Sequence, residues 1–376
     1  MKSAPAILLG ALLLAGPAAA QAQFSYITNA DGLTATITGY LGTDGTVVIP
    51  GATNSLTVTG IGTNAFQYSS IMTNVTIPGS VTSIGDYAFN YCASLTLVAI
   101  PSGVTNVGDD VFANCDDLGS ATMSLSVTSL GINVFSNCTS LTNVTISGSL
   151  GSIPEGTFDG CSKLAGVTIP ANATSIGEDA FAGSGLTNVT IPGGVTSIGV
   201  AAFSSTDLDS LTIPGGVARI GYSAFAYCSS LTNVVIAKGV TSIGEYSFYG
   251  CAKLGGVYFE GNAPAADSSV FGDDSGAKVY YLPGATGWSA PFAGLTAVLW
   301  NPGIEAGGAG FGVSGGQFGF SITNAANLTV VVEVCTNLTS RVWTPLRTVT
   351  LTNGVYYYSE PAQAGVGGRF YGLGLP

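Results

Sequence analysis

One aromatic position recurs at an almost constant interval along this chain of 376 residues. Ten phenylalanines follow one another at spacings of 23, 23, 23, 23, 23, 22, 22, 23 and 23 residues. They are Phe66, Phe89, Phe112, Phe135, Phe158, Phe181, Phe203, Phe225, Phe248 and Phe271. A period of this length indicates repeating supersecondary units, and one such unit cannot bury its apolar side alone. The sequence therefore predicts a stack of repeats that share one elongated core.

The composition excludes several classes of function. Only 8% of the residues are charged and histidine is absent, which removes the usual general base at neutral pH and the commonest zinc ligand. With 9 Lys and Arg against 21 Asp and Glu, the net charge of −12 argues against binding to nucleic acid. The mean hydropathy is high at +0.47, yet no run of about 18 apolar residues follows residue 22, so no membrane span is predicted there.

The amino terminus is typical of a secretory signal peptide. Lys2 supplies a positive charge, Ala6 to Gly16 form an apolar stretch, and small residues follow Pro17. The A-x-A pattern predicts cleavage after Ala22, with cleavage after Ala20 or an uncleaved anchor helix as alternatives. We therefore expect a protein that is secreted or displayed at the cell surface.

Each repeat has parts that local chemistry identifies. Leu141, Val144 and Ile146 follow an L-x-x-V-x-I spacing, which predicts a short strand with alternate residues pointing inward. A proline commonly ends the strand, and pairs such as Gly215-Gly216 predict a turn with positive φ. A second inward column follows at Ile84, Ile153, Ile176, Ile198, Ile220 and Ile243.

The repeat resembles the BspA-type leucine-rich repeat of secreted and surface proteins. It matches the pattern L-T-N-V-x-I-P-x-x-V-T-S-I-G-x-x-A-F-x-x-C over about residues 24–300, and residues 33–40 and 47–50 resemble the family's amino-terminal cap. The resemblance implies a right-handed leucine-rich repeat solenoid. One of its faces carries a parallel β-sheet, and the other carries turns and short helical segments. It also implies adhesion or matrix binding, although repeat arrays are scaffolds for many functions.

The expected organisation has six parts. They are a signal peptide (1–22), an amino-terminal cap with the first strand (23–60), leucine-rich repeats (61–271), a carboxyl-terminal cap (272–300), a Gly-rich linker (301–316) and a small β-rich module (317–376). Alternating apolar runs predict strands at 318–323, 328–335, 342–351 and 355–359 of that module.

Six of the seven cysteines lie three residues after a repeat phenylalanine, and they are Cys92, Cys115, Cys138, Cys161, Cys228 and Cys251. Their spacing predicts one column of small buried thiols. Disulfide bridges between neighbours and a metal site are the alternatives. Cys335 lies outside the repeats, in a predicted strand.

The outward strand positions are the first candidate binding surface. Eight of them are selected as candidate ligand-binding residues: Asn143, Thr145, Thr168, Asn188, Thr190, Thr212, Asn233 and Tyr258. The outward columns contain no carboxylate, so a glycosidase cleft with its two acids is not predicted here. A merely solvated strand surface or a water-ordering threonine lattice are alternative interpretations.

Tyrosines and acidic pairs form two further candidates. Tyr87 and Tyr91 cluster in one region, and Tyr222, Tyr227, Tyr246 and Tyr249 in another. Tyrosine suits interfaces and sugar stacking, although these rings could also simply shield the wall. The pairs 109–110, 116–117 and 273–274 could hold calcium, but solvated turns explain them equally well.

These observations predict an exported, non-enzymatic protein that recognises an extracellular protein or glycan. The alternative is a structural component of a matrix or shell that associates with itself through exposed sheet edges. An enzyme is not expected, because residues 317–376 offer only Glu333 and Glu360 as carboxylates and no histidine. No cofactor or metal is predicted.

Overall fold

The computed structural model describes residues 23–273, 276–306, 311–324, 328–340, 342–362 and 369–376. The predicted signal peptide lies outside these residues. Two compact units are present, one ending at Leu150 (unit 1) and one beginning at Gly151 (unit 2). Within the described ranges, no helix is long and apolar enough to cross a membrane.

Unit 1 contains an amino-terminal hairpin and two parallel ladders. Its strands are β1 (Phe24–Thr28), β2 (Thr34–Tyr40), β3 (Thr46–Val48), β4 (Ala52–Thr53), β5 (Leu56–Ile61), β6 (Asn74–Thr76), β7 (Ser83–Ile84), β8 (Leu97–Ile100), β9 (Asn106–Val107), β10 (Ser120–Met123), β11 (Ser129–Leu130) and β12 (Asn143–Thr145). β1 and β2 pair antiparallel, and β4 pairs antiparallel with β5. The order β3-β6-β8-β10-β12 forms the predicted parallel sheet, and β2-β5-β7-β9-β11 forms a second parallel ladder.

Unit 2 repeats the two parallel ladders and adds antiparallel sheets. Its strands are β13 (Ser175–Ile176), β14 (Ser197–Ile198), β15 (Ser210–Ile213), β16 (Arg219–Ile220), β17 (Asn233–Ile236), β18 (Ser242–Ile243), β19 (Gly256–Phe259), β20 (Lys278–Tyr281), β21 (Thr296–Leu299), β22 (Gly303–Glu305), β23 (Gly312–Ser314), β24 (Gln317–Thr323), β25 (Leu328–Cys335), β26 (Thr344–Leu351), β27 (Val355–Pro361) and β28 (Phe370–Gly374). The parallel orders are β13-β14-β16-β18 and β15-β17-β19-β20-β21. The second ladder of short strands was not foreseen, because the sequence indicated only an inward isoleucine there.

The phenylalanine side of each repeat is built from turns. In the described residues no helical segment lies there, so the expectation of short helices is wrong. The reason is that the residues two before and two after the phenylalanine adopt positive φ, as at Tyr87 (58°) and Tyr91 (57°) around Phe89. A helix needs consecutive right-handed residues. The alternation instead points the amides of residues 87, 89 and 91 at the carbonyls of residues 109, 111 and 113, at 2.8–3.0 Å.

The phenylalanines fill the core of both units as predicted. Each is at most 3% exposed, and their rings stack in parallel. In unit 1, the centroids of Phe66 and Phe89 lie 4.8 Å apart. In unit 2, those of Phe181 and Phe203 lie 5.2 Å apart, as do those of Phe203 and Phe225. This spacing matches the distance between neighbouring strands, so one ring per repeat keeps the stack in register.

Glycine is needed in the repeat for a reason other than the predicted one. Gly215 and Gly216 do not adopt positive φ. Instead, a Cβ built on Gly216 would lie 2.2 Å from the carbonyl oxygen of Gly193, and one on Gly239 would lie 1.8 Å from that of Gly215. Close approach of successive backbones therefore explains the second glycine of the pair.

The repeat cysteines are buried thiols, as predicted. Each can donate to the phenylalanine carbonyl of the preceding repeat, as Cys92 Sγ does to Phe66 O and Cys228 Sγ to Phe203 O, both at 3.2 Å. Burial raises the pKa of Cys92 to about 12. The short repeats use hydroxyls at this position, where Ser184 donates to Phe181 O at 2.7 Å. The position therefore requires a small side chain that can satisfy a buried carbonyl.

The carboxyl-terminal residues form a small all-β module, as predicted. β24 pairs with β22, β23 and β27, and β25 pairs with β26 and β28, all antiparallel. Part of the segment expected to be a linker belongs to this module, because Gly303–Glu305 and Gly312–Ser314 are the strands β22 and β23. Residues 307–310 lie outside the described residues. Glu360 is tied into the module by Arg369 at 2.9 Å and by the hydroxyls of Tyr358 and Tyr371.

Candidate recognition surfaces

Two successive repeats of unit 2 are joined at one side and separate at another. We call the one with residues 166–181 repeat A and the one with residues 188–203 repeat B. Their short strands pair at Ile176 and Ile198, and Phe181 stacks on Phe203. Residues 166–169 and 188–191, which occupy the first-strand positions, pair neither with each other nor, for 188–191, with β15 in the described part of unit 2.

Hydrogen bonds limit this opening at both ends. Thr187 N donates to Ala165 O at 3.1 Å, before the separated segments begin. After they end, Thr196 N donates to Thr174 O at 2.8 Å. The opening coincides with the first of the two spacings that are 22 residues long, since Leu186 follows Phe181 by five residues whereas Leu164 follows Phe158 by six.

A groove of about 540 Å³ occupies the opening. It is lined on one side by Val167, Thr168 and Ile169, and on the other by Asn188, Thr190 and Pro192. Val167 and Val189 are only half-buried, whereas Val234 in the closed ladder is fully buried. The groove therefore offers backbone amide and carbonyl groups, hydroxyls and some apolar surface to a ligand.

Glycine geometry gives an independent measure of the opening. A Cβ on Gly194 of repeat B would meet Ala173 O of repeat A at 3.5 Å, an ordinary contact. The equivalent Cβ on Gly216 of the next repeat would meet Gly193 O at 2.2 Å. Repeats A and B are therefore farther apart after the strand than repeat B and its successor.

Most of the selected outward residues reach solvent. Thr168, Asn188, Thr190 and Thr212 are exposed in unit 2, and Asn233 is half-buried there. Three of them, Thr168, Asn188 and Thr190, line the groove. Asn143 and Thr145 are exposed on β12 of unit 1. The sequence pattern selected these residues but contained no signal for the groove between them.

Tyr258 differs from the other selected residues because the module covers it. It is 1% exposed and belongs to an apolar cluster with Tyr280, Phe320 and Leu328. Its ring stacks on Tyr280 at 4.8 Å. We therefore remove Tyr258 from the exposed candidate surface, since an outward position on the last repeats packs against the carboxyl-terminal sheets.

Tyr222, Tyr227, Tyr246 and Tyr249 form a separate cleft, which we call the tyrosine cleft. It encloses about 260 Å³. The pairs 222/246, 227/249 and 246/249 lie at centroid distances of 5.6, 5.5 and 5.7 Å with interplanar angles of 71°, 83° and 77°. Tyr222 and Tyr227 are 50% and 58% exposed. These edge-to-face contacts hold the rings at fixed angles while leaving faces open to solvent.

Two of these tyrosines have an unfavourable backbone conformation. Tyr227 and Tyr246 have φ of 60° and 59°, where a residue with a side chain costs about 1–2 kcal/mol. The corresponding positions of other repeats carry residues that tolerate this region, such as Gly160, Gly183 and Asn133. Sequence reasoning singled out the tyrosines but missed this feature, because a left-handed position was not expected there.

The acidic pairs gain no support as a metal site. Within the described ranges, no three His, Cys, Asp or Glu side chains are grouped so that they could hold a metal ion. Asp274 lies outside the described residues. Asp110 instead shares a side-chain hydrogen bond with Tyr87, and partial burial raises its pKa.

Comparison with solved structures returns bacterial leucine-rich repeat proteins. One from Bacteroides ovatus is 21% identical and covers 74% of this chain and 98% of its own, with a TM-score of 0.45. One from T. pallidum is 25% identical, covers 62% and 88%, and has a TM-score of 0.44. A leucine-rich cell surface protein from Faecalibacterium prausnitzii is 26% identical, covers 69% and 93%, and has a TM-score of 0.38.

No curated protein matches the chain. The family model for the BspA type leucine rich repeat region matches in 6 copies, over residues 59–185 and 151–278. Together these ranges span residues 59–278, which is more than half of the 376 residues. The periodic phenylalanines, the parallel ladders and this match agree, and the chain belongs to the BspA-type leucine-rich repeat family.

Proposed function

We propose that this chain is an exported, non-enzymatic recognition protein that binds an extracellular partner through the outward residues of its repeat strands. The observation that carries the proposal is the groove between repeats A and B, where two strand segments lack ladder partners in the described residues. Unpaired strand groups are a ready template for another strand. Membership of a repeat family that serves as a recognition scaffold supports the same reading.

The groove favours an extended polypeptide over a glycan as the partner. Peptides that add to a sheet gain affinity from main-chain hydrogen bonds and specificity from side chains at alternate positions. Val167 and Val189 offer apolar contacts, while Thr168 and Thr190 offer hydroxyls beside the backbone groups. The groove lining carries no charged residue, so we expect a partner segment without a strong charge requirement.

The strands that lack partners also suit self-association, which is the structural alternative. A second copy could supply the missing strand, and assembly would then increase with protein concentration. Sedimentation of residues 23–376 over a range of concentrations separates the two roles. A monomer with a saturable partner supports recognition, and assembly without any partner supports the structural role.

The test is a binding screen of residues 23–376 against extracellular proteins and glycans. Thr168→Glu combined with Thr190→Glu places two charges in the groove. The control, Ser162→Glu with Ser229→Glu, adds the same charge at exposed turn positions. Binding that is lost in the first variant and retained in the control supports the groove. Binding retained in both contradicts it.

A further inference from the structure

The tyrosine cleft has features that a surface of shielding residues does not need. Neighbouring repeats keep the same turn without any tyrosine, as at Asp179 and Gly183 around Phe181. Tyr227 and Tyr246 occupy those two turn positions in unfavourable backbone conformations. Residues held in such conformations cluster at binding sites, where the surrounding structure maintains them. Their presence in adjacent repeats that face one cleft points to a ligand.

The shape of the cleft limits the size of that ligand. Its volume of about 260 Å³ is below the roughly 300–1,000 Å³ of pockets that enclose a drug-sized molecule. The cleft is open to solvent on one side, since Tyr222 and Tyr227 are half or more exposed. A single ring that belongs to a longer chain fits both observations.

The chemistry of the lining limits the class of ligand. Ring faces of Tyr222, Tyr227, Tyr246 and Tyr249 stand nearly perpendicular to one another, which suits a flat ligand with apolar faces and polar edges. The lining contains no cation, and the hydroxyl of Tyr249 donates to the carboxylate of Asp273 nearby. An anionic ligand would be disfavoured, whereas hydroxyl groups would find phenol and carboxylate partners.

We propose that the tyrosine cleft binds one pyranose ring of a neutral polysaccharide, with the C–H faces of the sugar against the tyrosine rings. The site is separate from the groove between repeats A and B, and it does not depend on the function proposed for that groove. The protein then has two binding surfaces of different chemistry, one for an extended polypeptide and one for a glycan.

The experiment uses residues 23–376 and neutral hexasaccharides of glucose, mannose, galactose and xylose as probes. Saturation-transfer NMR detects binding, and titration gives the dissociation constant. We expect at least one hexasaccharide to bind with millimolar or tighter affinity. Failure of all four to bind at millimolar concentration overturns the proposal.

The variant Tyr227→Asn with Tyr246→Asn gives the sharper test. Asparagine tolerates positive φ, so the melting temperature should stay the same or rise while affinity falls at least tenfold. The matched control is Ala201→Asn with Ser205→Asn, which changes the same turn positions of the preceding repeat (φ of 48° and 58°) outside the cleft. It should leave binding unchanged, and equal loss in both variants contradicts the proposal.

Two further arms separate this site from other readings. Thr168→Glu with Thr190→Glu should retain hexasaccharide binding even if it abolishes binding of a protein partner. Tetramethylammonium, as a competing probe, tests whether the rings form a cation site instead. Displacement of the sugar by tetramethylammonium at lower concentration than by the free monosaccharide would overturn the assignment to a neutral glycan.

Discussion

Repeats A and B of unit 2 meet differently on their two sides. On the phenylalanine side they stack Phe181 on Phe203 at 5.2 Å, and Phe181 N donates to Ala202 O at 2.8 Å. On the first-strand side, residues 166–169 and 188–191 form no ladder in the described residues, and a groove lies between them. The aromatic side therefore holds these repeats together without help from the strands.

This difference shows how the repeat divides its work. The aromatic stack, the thiol or hydroxyl after it and the short second strand set the spacing between repeats. The first strand is then free to open where a shorter connection precedes it, and its backbone groups become available. A recognition surface can thus be created without disturbing the core.

The largest expected effect is the loss of one stacked ring. Phe203→Ala removes a fully buried side chain that contacts rings on both sides, so we expect it to lower the free energy of unfolding by about 3–5 kcal/mol. Val189→Ala, on the open strand, should lower it by less than about 1.5 kcal/mol because Val189 is only half-buried. Urea denaturation measures both, and equal losses would remove the distinction between the two sides.

A pair of glycine variants probes the opening directly. Gly216→Ala should destabilise the protein by about 2 kcal/mol or more, since its Cβ would lie 2.2 Å from Gly193 O and the backbone must shift. Gly194→Ala should change stability by less than about 1 kcal/mol, because its nearest contact is 3.5 Å away. Thermal unfolding of the two proteins provides the comparison. Similar losses would mean that repeats A and B are as close as their neighbours.

The buried thiols give the smallest effect and a pH signature. The folded pKa of Cys92, about 12, lies above the ordinary value of 9.0 because of burial. Above pH 9 the unfolded chain loses the thiol proton while the folded chain keeps it. The stability that this group contributes is therefore complete below pH 9 and falls as the pH rises toward 12, by about 1.4 kcal/mol per pH unit.

The control for this prediction is Cys92→Ser. Serine keeps the hydrogen bond to Phe66 O but does not ionise in this range. Urea denaturation at pH 8 and pH 10.5 should show a smaller loss of stability in the variant than in the parent protein. An identical pH dependence would indicate that the folded thiol is not protected from ionisation.

Much of the fold could be predicted because its signals are local and repeated. The spacing of the phenylalanines predicted the stack, and alternating residues predicted β24, β25 and β27 to within about two residues. The buried thiols followed from the fixed offset between cysteine and phenylalanine. Each of these features depends on residues within one repeat or one strand.

The features that sequence reasoning missed depend on more than one segment. The burial of Tyr258 arises from a module that begins more than forty residues later and packs on it. The left-handed turn residues were hidden because Tyr, Asn, Gly and Asp all occupy them in different repeats. The groove reflects the spacing between neighbouring repeats, which no single repeat determines.

Hydrogen exchange of residues 23–376 tests most directly whether the strand side of repeats A and B is open while the aromatic side is closed. We predict that the amides of 166–169 and 188–191 exchange rapidly, while those of Phe181, Phe203 and β17 are protected, because only the latter are held in ladders. Equal protection of residues 188–191 and β17 would show a closed strand side and would contradict the account.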